Sequence, residues 1–219
     1  MTRLVFRRFT GAVAATALVV LPACVSLLPE TEPSALYRLD TAPAVQAEPA
    51  QGAATVIVDR ISAPNGLSGD RIAIQREGRI AYMAGAAWLS PAPVMVHGAV
   101  LDAFHAHAPA MTPARTEDGV AARYKLDLEL RRFEAVYAGG QGAAPRVEVS
   151  LRAQMIDRES RALMAARTVQ STRAAAANRQ GAIVDAFSSA TREAAADLAR
   201  WADGVVCDSQ DPPPACEGG

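Results

Sequence analysis

The residues with the sharpest chemical potential are three cysteines, Cys24, Cys207 and Cys216. A thiolate is a strong nucleophile and metal ligand, so the surroundings of each cysteine decide what it does. Cys24 follows the small residue Ala23 at the end of an apolar run. A peptidase can cut beside so small a side chain, and the thiol can form a thioether with a diacylglycerol. Cys207 and Cys216 flank Asp208-Ser-Gln-Asp-Pro-Pro-Pro-Ala215, without the C-x-x-C spacing of a redox or zinc motif. In an oxidising compartment such a pair forms a structural disulfide. Its short loop stabilises by about 2–3 kcal/mol on the chain-entropy account.

The histidines offer less. His105 and His107 stand two apart on a predicted helix, so they face different ways and cannot jointly hold a metal. His97 falls on the apolar stripe of that helix and is expected to be a satisfied core residue. Gly66-Leu67-Ser68-Gly69 lacks the G-x-S-x-G frame of a hydrolase elbow, and the carboxylates are scattered singly. The chain is therefore expected to have no catalytic residues, no metal site and no cofactor, and not to be an enzyme.

Cys24 closes an export signal. Arg3, Arg7 and Arg8 precede an unbroken run from Gly11 to Leu21, too short for the roughly 20 residues of a membrane span. Leu21-Pro22-Ala23-Cys24 resembles a bacterial lipobox, in which the cysteine is acylated and becomes the first residue of the mature protein. Two or three acyl chains anchor stably where one does not, at about 0.8 kcal/mol per buried methylene. Val25, standing where Asp would resemble an inner-membrane retention signal, favours the periplasmic face of the outer membrane.

Charge and composition bound the rest. The 219 residues carry 22 basic and 23 acidic groups, which argues against a nucleic-acid partner. Loss of residues 1–23 removes three Arg and no acid, leaving 19 basic against 23 acidic residues, formally −4. The mature chain is thus not expected to cling to anionic headgroups by net charge. Alanine supplies 48 residues, so the 50% apolar fraction overstates the large hydrophobes available for a core.

These features need elements to carry them. Tyr37–Leu39 and Thr55–Val58 read as strands, and Arg71–Gln75 with Arg79–Met83 as a hairpin around Arg76-Glu77-Gly78. Ser90-Pro91 is expected to start a helix running to about His107, with Val94, His97, Leu101 and Phe104 on its apolar face. Tyr124, Leu126, Leu128 and Leu130 alternate with Lys125, Asp127, Glu129 and Arg131. Val147, Val149, Leu151, Ala153 and Met155 alternate with Arg146, Glu148, Ser150, Arg152 and Gln154. Both are half-buried strands, and the parity break at Phe133 predicts a bulge near Arg131-Arg132. The loop Ala138–Gly142 between them is too irregular for a phosphate cradle. A third strand is expected at about 162–170, then a helix over about 178–203 capped by Gly204.

The order is α+β: a single domain with a mostly antiparallel sheet and two main helices on one face. Residues 1–23 form the signal peptide, 24–33 a tether, 34–204 the domain, and 205–219 a Pro-rich tail with the disulfide.

The chain resembles the ABC-type transport auxiliary lipoproteins, PqiC-like proteins associated with MCE lipid-transport systems. The resemblance rests on the lipobox, Tyr37-Arg-Leu39, Val58-Asp-Arg-Ile-Ser-Ala-Pro64, Arg71-Ile-Ala-Ile74, Tyr82, Trp88-Leu89, Tyr124–Leu130 with Phe133, and the Asp157–Arg161 turn. It spans residues 20–203 and rests on the order and spacing of these features. It implies a lipoprotein working with an MCE-domain protein, a permease and an ATPase to move lipid between membranes. The cysteine-bearing tail is not part of the pattern. Two other classes stay open: a lipoprotein that carries lipid in its own cavity, and a structural or assembly lipoprotein. Self-association into a homo-oligomer is also open.

Overall fold

A computed structural model describes residues 34–41, 48, 50–139 and 142–216. The lipobox with Cys24, the tether, and Gly140 and Gln141 of the loop Ala138–Gly142 lie outside the described residues.

The strands are β1 (Ala35–Tyr37), β2 (Ala54–Val58), β3 (Arg71–Arg76), β4 (Arg79–Trp88), β5 (Met111–Arg115), β6 (Tyr124–Tyr137), β7 (Arg146–Asp157) and β8 (Ala162–Ala174). The helices are α1 (Ala92–His107) and α2 (Gln180–Cys207). All eight strands join one open sheet. Most of its paired length is antiparallel, along β6–β7 and β7–β8 and in the β3–β4 hairpin, as the alternating sequences predict. The shorter contacts of β1 with β4, β2 with β5, and β6 with β2 and β3 are parallel. The fold class is the expected α+β.

β6 is the spine. One edge pairs with β7 from Tyr124 to Val136. The other edge is covered in relay: β2 against Tyr124–Leu126, Ser62 against Glu129, and β3 against Ala135–Tyr137. The register slips between Leu130 and Arg132, the bulge that Phe133's parity requires. Beyond it Phe133 points back into the core against Trp88 and Phe187, with ring centroids 5.6, 5.2 and 4.7 Å apart around the triangle. Such aromatic pairs add about 0.5–1.5 kcal/mol each beyond area burial. The hairpin turn is as expected, with Glu77 and Gly78 both at positive φ. A second glycine is needed at Gly85 (φ 64), where β4 bulges and Gln180 Nε2 donates to the Ala84 carbonyl at 3.0 Å. Gln180 Oε1 also accepts from Tyr37 Oη at 3.2 Å, pinning the edge strand β1 to the start of α2.

Several expectations are corrected. The first strand is Ala35–Tyr37, two residues earlier than predicted. β5 was not expected: Pro113 argues against a strand, but β5 is an edge, where a missing N–H costs nothing. α1 starts at Ala92 behind Pro91, and Ser90 makes no cap. Its buried stripe is Val96, Ala99, Val100, Ala103 and Phe104; Leu101 is buried but Val94 is 60% exposed and His97 half-buried. β8 runs on to Ala174, and α2 runs through Gly204 to end at Cys207, carrying the helix into the region expected to be tail.

The phase of α1 is open to a direct measurement. Val96→Ala deletes two methyl equivalents from a fully buried site and is expected to cost about 2 kcal/mol in urea unfolding. Val94→Ala is expected to change stability by less than about 0.5 kcal/mol. The reverse ranking would restore the stripe expected from sequence.

Candidate functional site

Both helices pack on one face of the sheet, so the other face of β6, β7 and β8 is left to polar side chains. The alternation in sequence positions them, since each residue opposite a core Leu or Val must face away from the helices. On β6, Lys125 Nζ lies 2.9 Å from Asp59 Oδ2 and 2.8 Å from Asp127 Oδ1. The hydrogen bond from Lys125 holds the Asp59 carboxyl below its ordinary range, and the two carboxylates raise the lysine. Arg131 pairs with Glu129 at 3.0 Å. Beyond the bulge Arg132 pairs with Glu148, which also lies 3.5 Å from Arg146.

Two residues of this face stand out. Glu134 is only 8% exposed and sits directly across the ladder from Glu148. Burial pushes its carboxyl above the ordinary range, opposed by Arg132 with Nε 3.9 Å from Glu134 Oε1, and Glu148 adds to the rise. Arg152 is exposed and has no ion-pair partner among the described residues. It lines two adjoining depressions. One of about 460 Å³ runs beside Arg131, Arg132, Ser150, Thr168 and Gln170; one of about 140 Å³ lies beside Ser62, Asp127 and Glu129. A shallow, mixed-sign surface with one free guanidinium suits a polar protein interface.

The structure bonds Cys207 to Cys216, with Cα atoms 5.4 Å apart. The segment between them folds back onto the body. Pro213 is buried, Pro214 lies against Gly52, and Arg123 Nη1 donates to the Asp211 carboxylate at 2.7 Å and the Asp211 carbonyl at 3.1 Å. Arg123 Nε donates to Asp157 at 3.3 Å, so one guanidinium ties the tail to the β7–β8 turn. Sequence reasoning missed Arg123 and Asp211, which are 88 residues apart and carry no local signal. It missed Glu134 too, because its neighbours mark that position as solvent-facing.

His97 is not a core histidine: Nε2 lies 3.0 Å from the Val58 carbonyl at the lip of a groove of about 430 Å³ between α1 and Arg60 and Arg115. No helix among the described residues is long and apolar enough to cross a membrane.

The buried carboxyl generates a pH-dependent prediction. Because folding raises the Glu134 pKa, stability is full below its unfolded value and falls as pH rises through the folded one. Glu134→Gln is expected to raise the urea midpoint at pH 7 and leave it nearly unchanged at pH 4. A lower midpoint at pH 7 would mean that the charge is net stabilising.

A profile of the ABC-type transport auxiliary lipoprotein component matches residues 37–199. Over 114 residues the chain is 30% identical to an uncharacterized protein of Bradyrhizobium diazoefficiens, covering 52% of this chain and 30% of that protein. The chain thus spans less than a third of the length of that curated relative. The crystal structure of XCC0632 from Xanthomonas campestris is 26% identical with a TM-score of 0.69, covering 78% of this chain and 96% of that one. A second, uncharacterized protein of known structure shares the fold at 15% identity and a TM-score of 0.62, covering 78% of this chain and 99% of that one. Over most of its length, from the edge strand through the aromatic core to the long second helix, this chain belongs to the ABC-type transport auxiliary lipoprotein family.

Proposed function

We propose that this protein is the non-enzymatic docking component of an MCE-type ABC transporter that moves lipid between the inner and outer membranes. It is held by acylated Cys24 on the periplasmic face of the outer membrane and binds an MCE-domain protein. The observation that carries the reading is the division of the sheet. One face is closed by helices over a packed core, and the other offers polar, mixed-sign side chains around the free Arg152. Family membership supports the transport role, and Val25 supports the outer membrane.

Docking is favoured over carriage of lipid inside the domain. Trp88, Phe104, Phe133 and Phe187 fill the space between sheet and helices, where a carrier would place its ligand. Cys207 and Cys216 serve this scheme as a structural disulfide formed in an oxidising periplasm; two thiols titrating in non-reduced protein would contradict the pairing.

The test is capture of the MCE-domain protein by the full chain in mild detergent. Binding is expected, and Arg152→Glu is expected to weaken it by roughly tenfold with circular dichroism unchanged. Failure of capture, together with unaltered outer-membrane permeability on deletion, would overturn the transport reading.

A further inference from the structure

The ends of the strands are not alike in charge. β3 and β6 finish at one end of the sheet, where β4 and β7 begin and β8 finishes. At about 4.8 Å between strands, this makes a rim about 20 Å wide. It presents Arg79, Arg76, Arg146 and Arg173, with Arg179 arriving just before α2. All five are exposed, and the exposed acid among them is Glu77.

Arg146 and Arg173 are held by carboxylates one layer in, Glu148 at 3.5 Å and Glu193 at 2.6 Å. Arg76, Arg79 and Arg179 have no ion-pair partner among the described residues. Tyr137 lies between the strand end that carries Arg76 and the segment that leads to Arg179. The Arg76 guanidinium lies 4.8 Å from the centre of its ring, and Tyr137 Oη donates to Asn178, the neighbour of Arg179, at 2.9 Å. Arg76 and Arg79 are also direct cross-strand partners. Like charges placed opposite each other destabilise a hairpin, so stability alone does not account for them. The half-exposed Ile80 follows at the same tip.

The chain enters the domain from this side. β1 is parallel to β4, which runs away from the rim, so residue 34 lies on the rim side of β1. Cys24 stands ten residues upstream, within roughly 36 Å of extended chain. The body as a whole is formally −4 after loss of residues 1–23, so a locally cationic rim makes it electrically polarised.

We infer that this rim, centred on Arg76, Arg79 and Arg179, rests on the phosphates of anionic phospholipids in the membrane that holds the anchor. Charge complementarity and the entry side of the tether select that occupant. The contact stands the strands upright on the bilayer and turns the open sheet face sideways, toward a partner. The inference rests on the acyl-anchor reading.

The test uses the acylated full chain on vesicles, with exposed arginines modified by phenylglyoxal and mapped by mass spectrometry. On phosphatidylcholine vesicles containing phosphatidylglycerol, Arg79 and Arg179 are expected to react at least roughly threefold more slowly than on phosphatidylcholine alone. Arg158 and Arg161, in the turn at the opposite end of the sheet, are expected to react equally on both. About 0.5 M NaCl, where the Debye length falls to roughly 4 Å, is expected to abolish the difference. Equal reactivity of Arg79 and Arg179 on both lipids, with the protein floating on each, would overturn the rim contact. Failure to float on phosphatidylcholine would overturn the anchor reading and the rim contact with it.

Discussion

The fold depends on satisfying both edges of β6. Its core-facing residues Tyr124, Leu126, Leu128 and Leu130 are buried, so its backbone N–H and C=O groups have little access to water and must be paired. β7 does this on one edge from Tyr124 to Val136, with a single bulge at Arg131. On the other edge no single strand is long enough, and β2, Ser62 and β3 share the task, with Ser62 accepting from Leu130 N–H and donating to the Leu128 carbonyl. The segment between Ser62 and β3 leaves the ladder and returns. On its way it buries Leu67, and the Gly69 carbonyl accepts from Ala92 N–H at the start of α1. The same relay therefore sets where the helix layer begins.

Covering β6 in this way makes the two faces of the sheet unequal. α1 and α2 close one face around the Trp88–Phe133–Phe187 triangle, and the many alanines of α2 let the helix approach the sheet closely. The other face neutralises itself through short ion pairs, leaving Arg152 unmatched and Glu134 buried. Exposed pairs of this kind contribute about 0–1 kcal/mol each, so the face is better understood as a recognition surface than as a source of stability. In the function proposed above, a lipid-tethered domain with such a surface contributes to transport by what it holds in place.

Much of this was legible in the sequence where periodicity and turn chemistry agree. The alternation in β6 and β7, the bulge announced by Phe133, and the Glu77-Gly78 turn all follow from one-residue arguments. The phase of α1 did not, because its buried stripe is partly Ala99 and Ala103, whose small side chains weigh little against Val94 in a hydrophobic pattern. β5 was hidden by Pro113, which is tolerated only because the strand is an edge. Gly204 read as a stop signal, but α2 continues one turn further to bring Cys207 to Cys216. The pairing of Arg123 with Asp211 belongs to tertiary structure and has no local trace.

The central claim is that the open sheet face, and not the helical face, meets the MCE-domain protein. A photo-crosslinking amino acid placed at Arg152, on the open face, and separately at the exposed Arg200 of α2, on the helical side, tests it in intact cells. The account predicts an adduct with the MCE-domain protein from position 152 and none from position 200. An adduct from position 200 alone would contradict it.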